Sequence, residues 1–277
     1  MEIDALLRSI APSSTAVNIS AGGNRVFRLR EESGASTIAK IYGSPARERR
    51  ERRALEALAE VDGVPKLLGR GMDEGTAWIQ MTDGGTWNLA TLPRHLPTTE
   101  SAGRVLRGVH ESGVSITNLA GGIGNLQIES HYLSTLERLE RFRRRLNMPQ
   151  GLLETAAAAG APEAGDSKPS HTRPTPEQFL ITEGGGEVTL IDWEWATMAP
   201  PEWDLSLASW QIATLLGQEA AEAFLDGYGN LVETERLRSW IAYHSAMIML
   251  DAAETRGGRL YDLAPLVRSM AEAVDFY

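Results

Sequence analysis

Ile191-Asp192-Trp193-Glu194-Trp195-Ala196-Thr197-Met198-Ala199-Pro200-Pro201-Glu202-Trp203-Asp204-Leu205 places two carboxylates between indoles, then a proline pair, then an acidic residue ahead of an apolar run. Residues Glu187–Trp193 read as a strand, and successive side chains of a strand point to opposite faces. Trp193 and Trp195 are therefore expected to pack on one side, with Asp192 and Glu194 facing a cleft. Asp204 stands before Leu205-Ser206-Leu207-Ala208 and reads as the N-cap of a helix over Leu205–Leu216. Upstream, Gln178–Thr182 is a second strand, joined to the first by the hairpin loop Glu183-Gly184-Gly185-Gly186.

At the other end of the chain the pattern is a meander. Ala16–Ile19, Arg25–Leu29 and Thr37–Ile41 are short alternating runs separated by the turn signals Ala21-Gly22-Gly23-Asn24 and Glu32-Ser33-Gly34. A helix precedes them, with Ile3, Leu6, Leu7 and Ile10 on one stripe. Another follows over Ala46–Val61, opened by Pro45. Strands at Pro65–Gly69 and Ala77–Met81 complete a five-stranded sheet carrying one helix. Beyond Gly85 the chain turns helical: Ser101–Glu111, Tyr132–Leu146, Leu205–Leu216, Gln218–Tyr228, Glu233–Thr255 and Leu263–Phe276. The Ala/Gly/Pro-rich Thr155–Pro169 reads as a helix end and a mobile loop.

Composition narrows the chemistry. The 277 residues suffice for two lobes, and 42% hydrophobic with 23% charged residues is the balance of a soluble globular protein. With no cysteine, disulfides, thiolate nucleophiles and Cys-based zinc sites are excluded. A net charge of −10 argues against nucleic acid as a partner. The basic runs Arg47–Arg53 and Arg138–Arg145 are laced with glutamate (Glu48 to Arg52, Glu137 to Arg141) and read as solvated helix faces, with docking of an acidic peptide or partner as the alternative. No apolar run reaches membrane-helix length and the start MEIDALLRSI lacks a signal-peptide pattern, so a cytoplasmic location away from any membrane is expected.

Lys40 is the informative residue of the meander. It shares a strand face with Ile38, so if Ile38 turns inward the ammonium does too, and a buried ammonium needs an anionic partner. Glu51, on the next helix, is placed to supply one. The Gly22-Gly23 hairpin by itself is an ordinary tight turn. His110 reads as a satisfied helix-end histidine.

Taken in order, the Gly-containing hairpin, Lys40, Glu51 and the Asp192 strand resemble the nucleotide-binding parts of the protein-kinase-like superfamily. Gly103–His110 and the Ile191–Leu205 stretch resemble the aminoglycoside phosphotransferase branch in particular, and the resemblance covers nearly the whole chain. It implies an α+β, bilobal kinase-like fold: a sheet lobe at residues 1–82 with a five-stranded antiparallel sheet and one helix, and a mainly helical lobe at 83–277. It also implies ATP and magnesium as cofactors, with Gly22, Gly23, Lys40, Glu51 and Gln178 binding the cofactor and Asp192 holding the metal.

The resemblance breaks at one loop. The family's loop reads His-Gly-Asp-x-x-x-x-Asn. Here Ser170-His171-Thr172-Arg173-Pro174-Thr175-Pro176-Glu177-Gln178 leads into Phe179-Leu180-Ile181, so Arg173 stands for the catalytic aspartate and Gln178 for the magnesium asparagine. A guanidinium cannot accept a proton at any ordinary pH. Expected is a degenerate, pseudokinase-like member whose cleft is turned to binding or non-phosphoryl chemistry on a peptide or small molecule, with a pathway partner protein. Similarity to the kinase-like proteins of thioamitide biosynthesis suggests thioether macrocyclisation, with His171, Asp192 and Glu194 as proton carriers and Arg173 and Lys40 as oxyanion donors. The alternative is an active small-molecule or antibiotic phosphotransferase. A purely structural partner is a third reading.

Overall fold

Short alternating runs, each ended by a turn signal, fold back on one another as the sequence leads one to expect. The structure, a computed structural model, describes residues 3–20, 23–92, 94–116, 127–182, 186–229, 232–255 and 263–276. Helix α1 (Ile3–Ile10) precedes β1 (Thr15–Asn18), β2 (Arg25–Arg30) and β3 (Ser36–Ile41); α2 (Pro45–Ala57) leads to β4 (Leu67–Asp73) and β5 (Thr76–Thr82). These strands form a five-stranded antiparallel sheet in the order β1-β2-β3-β5-β4. Period-two alternation sends Phe27, Leu29, Ala39 and Ile41 to one face, under Leu6 and Leu7 of α1. Ile38, Ile79 and Met81 go to the other, against Ala54, Leu55 and Leu58.

The remaining elements are β6 (Trp87–Asn88), α3 (Leu96–Glu111), α4 (Ile128–Glu140), α5 (Leu152–Ala159), β7 (Lys168–Ser170), β8 (Phe179–Ile181), β9 (Val188–Leu190), β10 (Thr197–Ala199), α6 (Pro201–Leu216), α7 (Gln218–Tyr228), α8 (Thr234–Thr255) and α9 (Ala264–Ala273). The α+β class is thus the one observed. Its largest apolar core joins Ile38, Leu55 and Ile79 of the sheet side to Phe179, Leu205 and Phe224 of the helical side. A second core lies among α4, α5, α8 and α9, around Tyr132, Leu152, Trp240 and Met270. Among the described residues no helix is long and apolar enough to cross a membrane.

Several boundaries differ from expectation, each for a local reason. The fourth strand is Leu67–Asp73, not Pro65–Gly69, and runs through Gly71, where a Cβ would lie 2.7 Å from the Trp78 indole. The missing side chain at Gly71 is what seats that indole. Helix α2 stops at Ala57 instead of Val61, and the turn that follows is held by Lys66 Nζ, which donates to the carbonyls of Ala59 and Val61. Helix α3 begins at Leu96, with Pro97 in its first turn, where proline's missing N–H costs nothing. Helix α4 ends at Glu140, not Leu146, where the ladder tightens: the N–H groups of Arg141, Phe142 and Arg143 reach back three residues, to the carbonyls of Arg138, Leu139 and Glu140. Of the basic runs, Glu48 pairs with Arg52 at 2.9 Å as expected, while Arg143 takes Glu140 at 2.8 Å and Arg138 takes Glu254. The loop Glu183-Gly184-Gly185-Gly186 lies outside the described residues except for Gly186, although the antiparallel β8–β9 pair it joins is present.

Helices α3 and α7 touch backbone to backbone. A Cβ on Gly103 would stand 2.0 Å from the Phe224 carbonyl oxygen, and one on Gly227 would stand 1.9 Å from that of Glu100. Neither neighbour is a flexible side chain, so the helices must separate to admit a methyl group. Gly103→Ala is expected to destabilise the protein by about 3 kcal/mol, the upper range of overpacking, read as a lower denaturant midpoint at unchanged slope.

Candidate active-site cleft

Strand alternation turns Lys40 inward with Ile38, and the ammonium is buried. Its Nζ donates to Glu51 Oε2 at 2.6 Å and to Asp192 Oδ1 at 2.6 Å, while Tyr42 OH donates to the same Glu51 oxygen at 2.8 Å. Burial pulls Lys40 down, but the two carboxylates outweigh it and hold the ammonium above its ordinary range. Burial likewise pushes Asp192 up, and Lys40 more than reverses that, keeping the carboxylate ionised.

The residue 171–178 loop is held from beneath. Asp204 does not cap its helix: α6 starts at Pro201, and Asp204 sits inside the first turn, fully buried. Its carboxylate accepts the backbone N–H of His171 (Oδ2, 2.7 Å) and of Thr172 (Oδ1, 2.7 Å), and faces His110 Nε2 at 3.2 Å. His110 is thus satisfied as expected, but by a carboxylate far away in sequence and by Tyr228 OH at 2.8 Å. Thr172 takes φ 71°, a strained value for a β-branched residue, and its Oγ1 donates to the Trp195 carbonyl at 3.0 Å. His171 is buried. Its Nε2 donates to the Ile191 carbonyl at 2.8 Å, which leaves Nδ1 to accept the Arg173 N–H at 3.3 Å.

Further along, Thr175 and Gln178 form a reciprocal cap around the short turn Pro176–Gln178. The Thr175 N–H donates to Gln178 Oε1 at 3.1 Å, which fixes the amide's orientation. The Gln178 nitrogen therefore faces Asp192, with Nε2 3.4 Å from Oδ2. Arg173 is exposed, its guanidinium 5.4 Å from the Trp195 ring centre.

The strand expected to reach Trp193 ends at Leu190. Asp192 adopts φ 72° and ψ 56°, and Trp193–Trp195 form a 3-10 turn, so period-two alternation does not apply there. Trp193 is buried with its Nε1 on the Leu190 carbonyl at 2.7 Å, whereas Trp195 lies exposed. Asp192 does reach the cleft. Glu194 is buried beside it: Oε2 accepts from Asn24 Nδ2 at 3.1 Å, Oε1 lies 3.8 Å from Arg47, and its backbone carbonyl accepts from Arg50 Nε at 2.9 Å. This draws the β1–β2 hairpin onto the Asp192 turn. Gly23 lies against the Arg47 guanidinium, with room for a Cβ at 3.4 Å, and Gly22 lies outside the described residues.

Sequence reasoning missed Arg28. It donates to both oxygens of Asp83 (2.6 and 3.1 Å) and to the Gly85 carbonyl (2.6 Å), on the segment linking sheet and helices. The signal was strand alternation, which sets Arg28 directly across from the inward-facing Ile38. Asn24 and Arg50 carried no such signal.

For a hard cation the fit is partial. Oxygens of Glu51, Asp192 and Glu194 lie within 4.8 Å of one another, a possible carboxylate set. The loop half of the family's magnesium pair does not fit, because Gln178 turns a donor toward Asp192.

A phosphotransferase enzyme family model matches residues 16–240, most of the chain. Among solved structures, the apo form of a thermostable mutant of aminoglycoside phosphotransferase APH(4)-Ia superposes with a TM-score of 0.69 at 16% identity, over 98% of either chain. Choline kinase LicA from Streptococcus pneumoniae matches with a TM-score of 0.65 at 17% identity, over 99% of this chain and 98% of its own. Spectinomycin phosphotransferase APH(9)-Ia in complex with ADP and spectinomycin gives 0.62 at 16%, over 98% and 96%. These likenesses define the class as a kinase-like phosphotransferase fold. The chain belongs to the phosphotransferase enzyme family. No curated protein sequence matches it.

Asp204→Ala is expected to cost about 3–5 kcal/mol, because two buried N–H groups lose their acceptor; the denaturant midpoint reads it. A second test concerns His244, whose Nε2 donates to the Trp203 carbonyl at 3.0 Å while Trp203 Nε1 holds the Thr172 carbonyl at 3.0 Å. Burial lowers His244 from 6.5 to about 4. The unfolded chain therefore binds a proton that the fold excludes. Stability from this group falls as pH drops from about 6.5 to about 4, by roughly 3 kcal/mol in all. In His244→Gln that slope should flatten.

Proposed function

We propose that this family member is catalytically degenerate as a kinase, and that its cleft serves binding or non-phosphoryl chemistry on a peptide or small molecule in natural-product biosynthesis. The observation that carries this is the locked Gln178 amide. The cap with Thr175 turns its nitrogen to Asp192, so each Asp192 oxygen faces a donor, Lys40 Nζ on one and Gln178 Nε2 on the other. Arg173, at the family's base position, adds a fixed cation that takes no proton. Arg28 occupies the Gly85 carbonyl on the linker. In this proposal residues 1–82 are the nucleotide-lobe remnant and 83–277 the helical lobe that carries the altered loop.

The finer form of the proposal is thioether closure on a modified precursor peptide. There an enethiol sulfur adds to the β-carbon of a dehydroamino acid, its proton passes to a carboxylate, and the α-carbon enolate takes a proton back. Asp192 and Glu194 are the carboxylates at hand, and Lys40 and Arg173 the donors for the enolate oxygen. His171, with both ring nitrogens bonded to backbone, acts as a positioning residue. The second reading, an active phosphotransferase acting on a choline-like or aminoglycoside-like alcohol, is favoured by the Glu51, Asp192 and Glu194 cluster, which offers a cation three oxygens.

Calorimetric titration with ATP, with and without magnesium, separates the two. Expected is no strengthening by magnesium; micromolar binding that tightens with magnesium, or turnover driven by a hydroxylated acceptor, would overturn the proposal. The double variant Arg173→Asp, Gln178→Asn is expected to gain at least about tenfold in magnesium-dependent ATP affinity, some 1.4 kcal/mol.

A further inference from the structure

Trp195 stands on the 3-10 turn after Asp192 with 38% of its surface exposed. Two guanidinium groups lie over its ring, that of Arg50 at 5.1 Å and that of Arg173 at 5.4 Å. The two cations are therefore no farther apart than the sum of those distances. Arg50 spends its Nε on the Glu194 carbonyl, which anchors the guanidinium beside the turn. Among the described residues neither arginine has a carboxylate within ion-pair reach. Arg28, Arg52, Arg138 and Arg236, by contrast, are each paired with a carboxylate.

Arg173 helps keep Asp192 ionised from beyond ion-pair reach, and an anion that met both guanidinium groups would be held by two cations at once. Guanidinium groups match a carboxylate through paired N–H donors, and the indole face holds them in place by cation–π attraction. Arg50 comes from α2 on the sheet side, Arg173 and Trp195 from the helical side, so an anion there bridges the two halves of the molecule.

We propose that Arg50, Arg173 and Trp195 form a carboxylate-binding subsite at the cleft mouth that takes an acidic side chain of a peptide. Charge complementarity selects this ligand: two guanidinium groups with no carboxylate in ion-pair reach offer paired donors to an acidic side chain. This deepens the preceding proposal by naming the ligand class, and it rests on the peptide reading. Its test is independent of nucleotide, because binding is read with EDTA and without ATP.

The test is fluorescence anisotropy of a labelled octaglutamate peptide at low ionic strength. Wild-type protein is expected to bind it and to ignore octaglutamine, with affinity falling as salt rises. Arg50→Gln and Arg173→Gln should each weaken binding at least fivefold, and Arg173→Lys should recover only part, since an ammonium lacks the fork. Arg144→Gln, in the other basic run, should leave it unchanged. Arg173 is exposed, so its variant keeps the test decisive even if Arg50→Gln disturbs folding. The proposal fails if octaglutamate does not bind up to millimolar concentration, or if Arg173→Gln binds it as well as wild type. It also fails if inorganic tripolyphosphate displaces the peptide with higher affinity through the same arginines, which would make this a nucleotide phosphate site.

Discussion

Lys40 carries a positive charge into the interior and meets two carboxylates there, Glu51 and Asp192, both at 2.6 Å. An isolated buried ammonium is too costly to keep, and removing one partner of such a set typically costs about 3–5 kcal/mol. The three residues come from β3, α2 and the turn after β9. Their mutual need therefore ties the sheet, its helix and the helical half together at one point. The positions of Tyr42, which donates to Glu51, and of Glu194, two residues after Asp192, follow from that knot.

A second buried carboxylate plays the same part for the loop. Asp204 gathers the His171 and Thr172 amides and His110, and through them holds a backbone that includes a left-handed threonine. Strain of that kind persists only where the surroundings over-determine it. Trp203 adds a bond to the Thr172 carbonyl and is itself seated by His244. The loop is therefore a rigid, deliberately supported object, and what it displays is specific: a guanidinium on the outside and an amide nitrogen toward Asp192.

The family framework and the altered loop thus coexist in one cleft. The pieces that position a nucleotide's phosphates in the family by resemblance, Lys40 and Glu51, are assembled as a tight pair. In the proposed function, the positions that the resemblance assigns to metal and base carry donors instead, Gln178 and Arg173. Lys40 Nζ and Gln178 Nε2 are both directed at Asp192, while Arg173 stands over Trp195, and that guanidinium is what the proposed function and the carboxylate subsite share.

Much of this was legible in the chain alone. Turn residues and period-two alternation set out the five strands, and the same alternation turned Lys40 inward with Ile38, because side-chain direction along a strand is a local property. The Arg173 and Gln178 departures were visible as residue types. What a local rule cannot reach is where a strand stops and which distant group meets which. Asp192 in a left-handed conformation ends the alternation, so Trp193 is buried and Trp195 exposed against the expectation that both would pack together. Asp204 became a loop buttress instead of a cap because its partners lie more than thirty residues away. The orientation of the Gln178 amide, and the meeting of Arg50 and Arg173 over one indole, depend on how separate segments are packed. Those contacts were decided by tertiary structure alone, since long-range pairing follows from burial and charge compensation across the whole fold and leaves no periodic trace in the sequence.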